Sequence, residues 1–111
     1  MTNLPDYNKL ERAALDKIGA KAQPNSGRGK HKKGDGILND YWVVDVKNVG
    51  KTFGVSEKVW AKVCTDSMKV DPMKSPMLYL VIGEGQQKVR LAVVEMSELE
   101  HLMENYVPRT D

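Results

Sequence analysis

Apolar positions recur at spacings of three and four through Tyr7, Leu10, Ala14 and Ile18, which predicts an amphipathic helix over residues 4–22 with Pro5 in its first turn. Residues 23–33, with Pro24, Asn25, Ser26, Gly27 and Gly29, have turn chemistry and read as an exposed, mobile loop. From Gly34 the pattern shortens to β-type runs: 36–38, a turn at Asn39 and Asp40, then 41–49, together a hairpin. The second run is apolar almost throughout, as expected of a strand covered on both faces in the middle of a sheet. Ser56 is placed to cap a helix reaching about Val70, with Val59, Trp60, Val63, Cys64 and Ser67 inward, Lys58, Lys62 and Lys69 outward, and Pro72 beyond its end. Two further strand-length runs, 77–82 and 89–94, precede a short acidic helix opened by Ser97. There Leu99, Leu102, Met103 and Tyr106 recur at helical spacing, with Pro108 past its end. The order α-β-β-α-β-β-α predicts an α/β (α+β) fold with a central mixed sheet of four to five strands flanked by helices.

Composition bounds this picture. A chain of 111 residues, 41% of them hydrophobic, suits one domain over 1–111 with one core. Cys64 is the only cysteine, so no intrachain disulfide forms, and with two histidines it cannot make a Cys/His zinc site. His31 and His101 are too isolated for a nucleophilic dyad, and Gly27 and Gly29 do not sit between a strand and a helix as a nucleotide-binding fingerprint requires. The N-terminus lacks a positive-then-apolar signal pattern and no apolar run approaches the roughly 20 residues that span a bilayer. A soluble, cytoplasmic protein without a membrane partner is expected.

The net charge of +2 conceals segregation. Between Ala20 and Gly34 there is no acid, while Lys21, Arg28, Lys30, Lys32 and Lys33 crowd together around His31. Such a segment fits a polyanionic partner, because phosphate neutralisation is the main source of nucleic-acid affinity, and fits equally a solvated loop.

Within the strand that reads as core, Asp45 and Lys47 need a reason, since burying an unpaired charge costs several kcal/mol. Two residues apart, they project from one face. An ion pair satisfies them; so does a metal site, for which Asp35 on the preceding strand supplies a second hard oxygen ligand for Mg²⁺. A two-residue turn at Asn39 and Asp40 pairs Asp35 with Val44, one position out of register, so a bulge or kink at Gly34 or Gly36 is needed to set Asp35 beside Asp45. The acid-x-Lys triplet Asp45-Val46-Lys47 is a common spacing; its weight comes from lying in the most strand-like segment, after a Gly-Asp-Gly and a basic loop.

Glu11 in a first helix, Ser26-Gly27-Arg28 in a loop, Gly34-Asp35-Gly36, Asp45-Val46-Lys47, then Thr52 and Ser56 before a helix with Trp60, together resemble the PD-(D/E)XK nuclease superfamily. Within it the likeness is to small phage-type Holliday junction resolvases and related endonucleases, and it covers roughly residues 10–94. The resemblance implies a restriction-endonuclease-like core and Mg²⁺-dependent hydrolysis of DNA phosphodiesters, Mn²⁺ substituting. It implies that Asp35, Asp45 and the carbonyl of Val46 hold the metal, that Lys47 orients or helps deprotonate the attacking water, and that Glu11 completes the site. Gly34 stands where the family name has proline, and Asp45 where glutamate is commoner.

Each residue has an ordinary alternative. Glu11 can be a solvent-side helix residue; Ser26 and Arg28 can grip a phosphate or decorate a loop; Lys30, Lys32 and Lys33 add non-specific backbone attraction. Thr52 and Ser56 can touch DNA backbone, although Ser56 serves as well as a cap, and Trp42 and Trp60 read as core. Three functions follow: a homodimeric endonuclease for branched DNA, a nicking or DNA-end nuclease of the same superfamily, and a non-catalytic nucleic-acid-binding module in which Asp45 and Lys47 are a structural pair.

Overall fold

A computed structural model describes residues 7–22 and 35–106. The basic segment, with Ser26, Arg28, Lys30, Lys32, Lys33 and Gly34, lies outside the described residues, as do Pro5 and Pro108. The elements are α1 (Tyr7–Ile18), β1 (Lys21–Ala22), β2 (Asp35–Leu38), β3 (Trp42–Val49), α2 (Glu57–Val70), β4 (Ser75–Ile82), β5 (Val89–Val93) and α3 (Met96–Glu104). The strands form one mixed sheet in the order β1-β2-β3-β4-β5, with β3 and β4 parallel and the other pairs antiparallel. The α+β class and helix-flanked mixed sheet agree with the sequence pattern; the element order gains a strand, the two-residue β1.

That strand comes out of the expected first helix, which stops at Ile18 rather than running to residue 22. Gly19 adopts φ 80, a left-handed conformation that costs glycine no Cβ clash. Its N–H donates to the Asp16 carbonyl and that of Ala20 to the Leu15 carbonyl, both at 3.0 Å, a Schellman termination. The next two residues pair with β2, Lys21 opposite Ile37 and Ala22 opposite Gly36.

Gly36 is needed for close approach. A Cβ there would lie 2.8 Å from Leu15 Cδ2 and 3.1 Å from the Lys21 carbonyl oxygen, so α1 settles onto β2 only where the strand has no side chain. Leu15, outside the stripe read from the sequence, is one of the largest fully buried side chains, together with Leu78, Val44 and Val46.

Alternation along β3 and β4 divides the core. Trp42, Val44, Val46, Tyr79 and Val81 pack with Ala14, Leu15 and Ala20 beneath α1. Leu78 and Leu80 pack with Val63 of α2, flanked by the half-buried Phe53, Trp60, Ile82 and Val93. Both tryptophans therefore join the core. Ser56 caps α2 through its side-chain oxygen, which accepts from the Val59 N–H at 3.1 Å, and the three outward lysines are exposed. Pro76 occupies β4 before pairing with β5 begins at Leu78; the Ser75 N–H turns toward β3, so the N–H that Pro76 lacks falls on the side not yet paired.

The apolar stripe of the last helix faces solvent. Leu99, Leu102 and Met103 are exposed, Tyr106 lies beyond the helix end, and no residue of α3 is buried. What holds α3 is Glu98, whose carboxylate accepts from the Tyr41 hydroxyl and, at 2.7 Å, from the Ser75 hydroxyl. No helix among the described residues is long and apolar enough to cross a membrane.

Candidate active site

The hairpin of β2 and β3 sets the geometry. Asn39 and Asp40 both have φ 55, as a type I′ turn requires, and the Tyr41 N–H closes it on the Leu38 carbonyl at 3.0 Å. Tyr41 then stays out of the ladder. Its carbonyl turns to β4 and accepts from the Ser75 N–H at 2.9 Å, and the first pair is Leu38 with Trp42. The expected register, in which Asp35 meets Val44, is corrected by this one residue: Asp35 stands directly opposite Asp45, and Gly36 opposite Val44. The extra residue sits at the turn, and no kink at Gly36 is needed.

Lys47, two residues on, places its Nζ 3.5 Å from Asp45 Oδ1, on the side of the sheet that α2 covers. The Asp45 side chain is 13% exposed and that of Lys47 46%. Burial pushes the Asp45 carboxyl above its ordinary value, and Lys47 pulls it back only in part because solvent screens a half-exposed ammonium. From α2, Asp66 adds to the rise and Lys62 opposes it. Asp66 pairs with Lys62 at 2.9 Å one turn away on the same helix. Lys62 reads from the sequence only as an outward lysine and Asp66 is not singled out there; the signal they share is the i, i+4 spacing on a helix following the acidic strand.

The other predicted residues are dispersed. Val46 lies between Asp45 and Lys47 with its side chain buried under α1, so its backbone carbonyl is the atom in question. Glu11 is half-buried on α1, the helix that covers the opposite face of the sheet from α2. Thr52 and Ser56 are exposed on the β3–α2 connection; the Ser56 oxygen serves the helix cap, which leaves its O–H free to donate.

Among the described residues no group of three histidine, cysteine, aspartate or glutamate side chains could hold a metal ion. The donor chemistry nonetheless fits a hard divalent cation. Asp45 is a buried carboxylate that its lysine compensates incompletely, and Asp35 occupies the paired position across the ladder, ~5 Å away between Cα atoms in such pairs. A cation held at this point would offset the desolvation that raises Asp45. No family model matches the chain, and neither any curated protein nor any solved structure is significantly similar to it.

Proposed function

We propose that the protein is a metal-dependent DNA endonuclease, selective for branched DNA of the Holliday junction kind and acting as a homodimer. The observation that carries this reading is the register that sets Asp35 opposite Asp45, with Lys47 beside Asp45 on a central strand. Two acids and a lysine at one point of a sheet are the components that phosphodiester hydrolysis needs, and the resemblance to PD-(D/E)XK nucleases assigns them that role. Asp35, Asp45 and the Val46 carbonyl would hold Mg²⁺ or Mn²⁺; Glu11, on the helix across the sheet from Asp45, is left out of that set. When bound, the cation supplies Lewis acidity toward a phosphoryl oxygen and neutralises charge on the leaving oxygen.

The chain's own groups do the rest. Lys47, half-exposed and held against Asp45, presents its ammonium to the phosphate oxygens and orients the attacking water. Ser26 and Arg28 grip the strand, Lys30, Lys32 and Lys33 supply salt-sensitive attraction, and Thr52 with the Ser56 O–H adds backbone contacts. Exposed Leu99, Leu102 and Met103 on α3 offer apolar surface to a second copy, and two sites related by a two-fold axis suit symmetric cutting of a junction.

The ion pair itself favours a second reading, a binding module in which Asp45 and Lys47 only satisfy each other. The test is cleavage of a labelled four-way junction and of linear duplex with and without Mg²⁺. Asp45→Asn and Lys47→Ala should each lower the rate by about a hundredfold or more while leaving junction binding in Ca²⁺ within about threefold. Unchanged cutting by Asp45→Asn eliminates the proposed site; no cutting by the unmodified protein selects the binding module.

A further inference from the structure

On the sheet face opposite Asp45 and Lys47, a cleft of about 240 Å³ opens between α1 and the ends of β3, β4 and β5. Three of its lining residues are cationic, Lys17 of α1, Lys88 before β5 and Arg90 in β5, and none is acidic. Among the described residues none of the three cations forms an ion pair. Arg90 is pre-positioned: its Nε donates to the Tyr79 hydroxyl at 3.0 Å and its guanidinium carbon lies 5.8 Å from the Tyr79 ring centroid. This arrangement uses one of the guanidinium's five N–H donors and leaves the Nη donors for another acceptor. Asn48, next to Lys47 in sequence but on the other face of β3, also lines the cleft, and its Nδ2 is buried with no acceptor among the described residues. A shielded amide donor without an acceptor destabilises the fold, a cost that a ligand oxygen would recover. Apart from Gln86, the remaining walls are apolar side chains of α1 and β4.

We propose that this cleft binds a phosphate group, carried either by a nucleic-acid strand or by a small nucleotide. Three cations without an ion pair among the described residues, one of them held by a tyrosine, and an unsatisfied buried amide donor, with no carboxylate in the lining, favour a multiply charged oxyanion. The apolar wall beside them accommodates the less polar part of a nucleotide. The site lies across the sheet from Asp45, so it binds without cleaving and does not depend on the nuclease reading.

The test uses two probes, a fluorescein-labelled single-stranded oligonucleotide and AMP, with the unmodified chain, Lys17→Gln/Lys88→Gln and Asp45→Asn. Both substituted lysines are exposed, so the double variant should keep the unmodified melting temperature. It should bind at least one probe roughly fivefold more weakly in low salt, with a shallower salt dependence. The Asn48 side-chain amide resonance should shift on adding that probe, in Asp45→Asn as in the unmodified chain. Weakening with the oligonucleotide alone assigns the phosphate to a strand; weakening with AMP alone assigns it to a free nucleotide. Equal affinity of the double variant and the unmodified chain for both probes, or an Asn48 amide indifferent to both, overturns the proposal. Loss of cleavage in Asp45→Asn has no bearing on it.

Discussion

The two faces of the sheet are built from the same strands and differ in what they bury. Beneath α1, β3 contributes Trp42, Val44 and Val46, all apolar, to a continuous core. Beneath α2 the same strand contributes Asp45 and Lys47 beside the buried Val43, and the apolar cluster that α2 joins there is Val63, Leu78 and Leu80. Ser67 of α2 is buried as well, its hydroxyl without a partner among the described residues. Each polar group under α2 takes a position where an apolar side chain would stabilise the fold. One face carries stability, and the other gives some up to hold charge.

Substitutions can break that contrast. The largest effect is expected beneath α1: Leu15→Ala should destabilise by about 3–4 kcal/mol in chemical denaturation, because the packed surroundings cannot collapse into the cavity. Leu80→Ala should cost about 2 kcal/mol, since its ladder neighbours Lys47 and Leu91 are already exposed and can move in. Equal losses at the two positions would refute the distinction between the faces. Gly36→Ala follows at about 1–2 kcal/mol, as its methyl must displace Leu15 or the β1 backbone.

Asp45→Asn should raise the melting temperature at neutral pH while removing cleavage. Its folded-state pKa lies above the unfolded value, so the ionised group burdens the native state at higher pH. That burden is relieved as pH falls through the raised pKa toward the ordinary carboxylate range. The gap between variant and unmodified chain should therefore close on acidification. Glu98 has the opposite sign: hydrogen bonds from Ser75 and Tyr41 hold its carboxyl below the usual value, so its contribution exists at neutral pH and is lost as pH falls through that lowered pKa. Glu98→Gln should thus lower the neutral melting temperature, with its gap also closing in acid. The smallest effect is Ser67→Ala, a gain of about 0.5–1 kcal/mol from removing an unpaired buried hydroxyl. A loss there would show that the hydroxyl has a partner.

Where local chemistry decides structure, the sequence was readable. Ser56 caps α2, β3 is a covered central strand, and the inward and outward sides of α2 follow from its spacing. The departures arise where distant contacts decide. The apolar periodicity of α1 continues past Gly19, but a left-handed glycine and pairing with β2 turn the next residues into a strand. The α3 stripe has helical spacing whether or not anything covers it. Within the site, the acid-x-Lys pair could be located from its strand context alone. The partner position of Asp35 could not, because it turns on where the Tyr41 carbonyl points, and that is settled by Ser75 from a strand more than thirty residues away.

The place of Tyr41 bears on which changes of length the hairpin tolerates. Seen from the ladder, Tyr41 is surplus: without it, Asn39 and Asp40 would form the ordinary two-residue loop, Leu38 would still meet Trp42, and Asp35 would still face Asp45. Deleting any residue within β2 or β3 would shift the strands past one another by a place. The three-residue turn 39–41 is therefore the part of this hairpin that can be shortened by one residue without disturbing the acids. Were Tyr41 the residue removed, the loss would fall on the carbonyl that receives the Ser75 N–H and on the hydroxyl that secures Glu98 and, through it, α3.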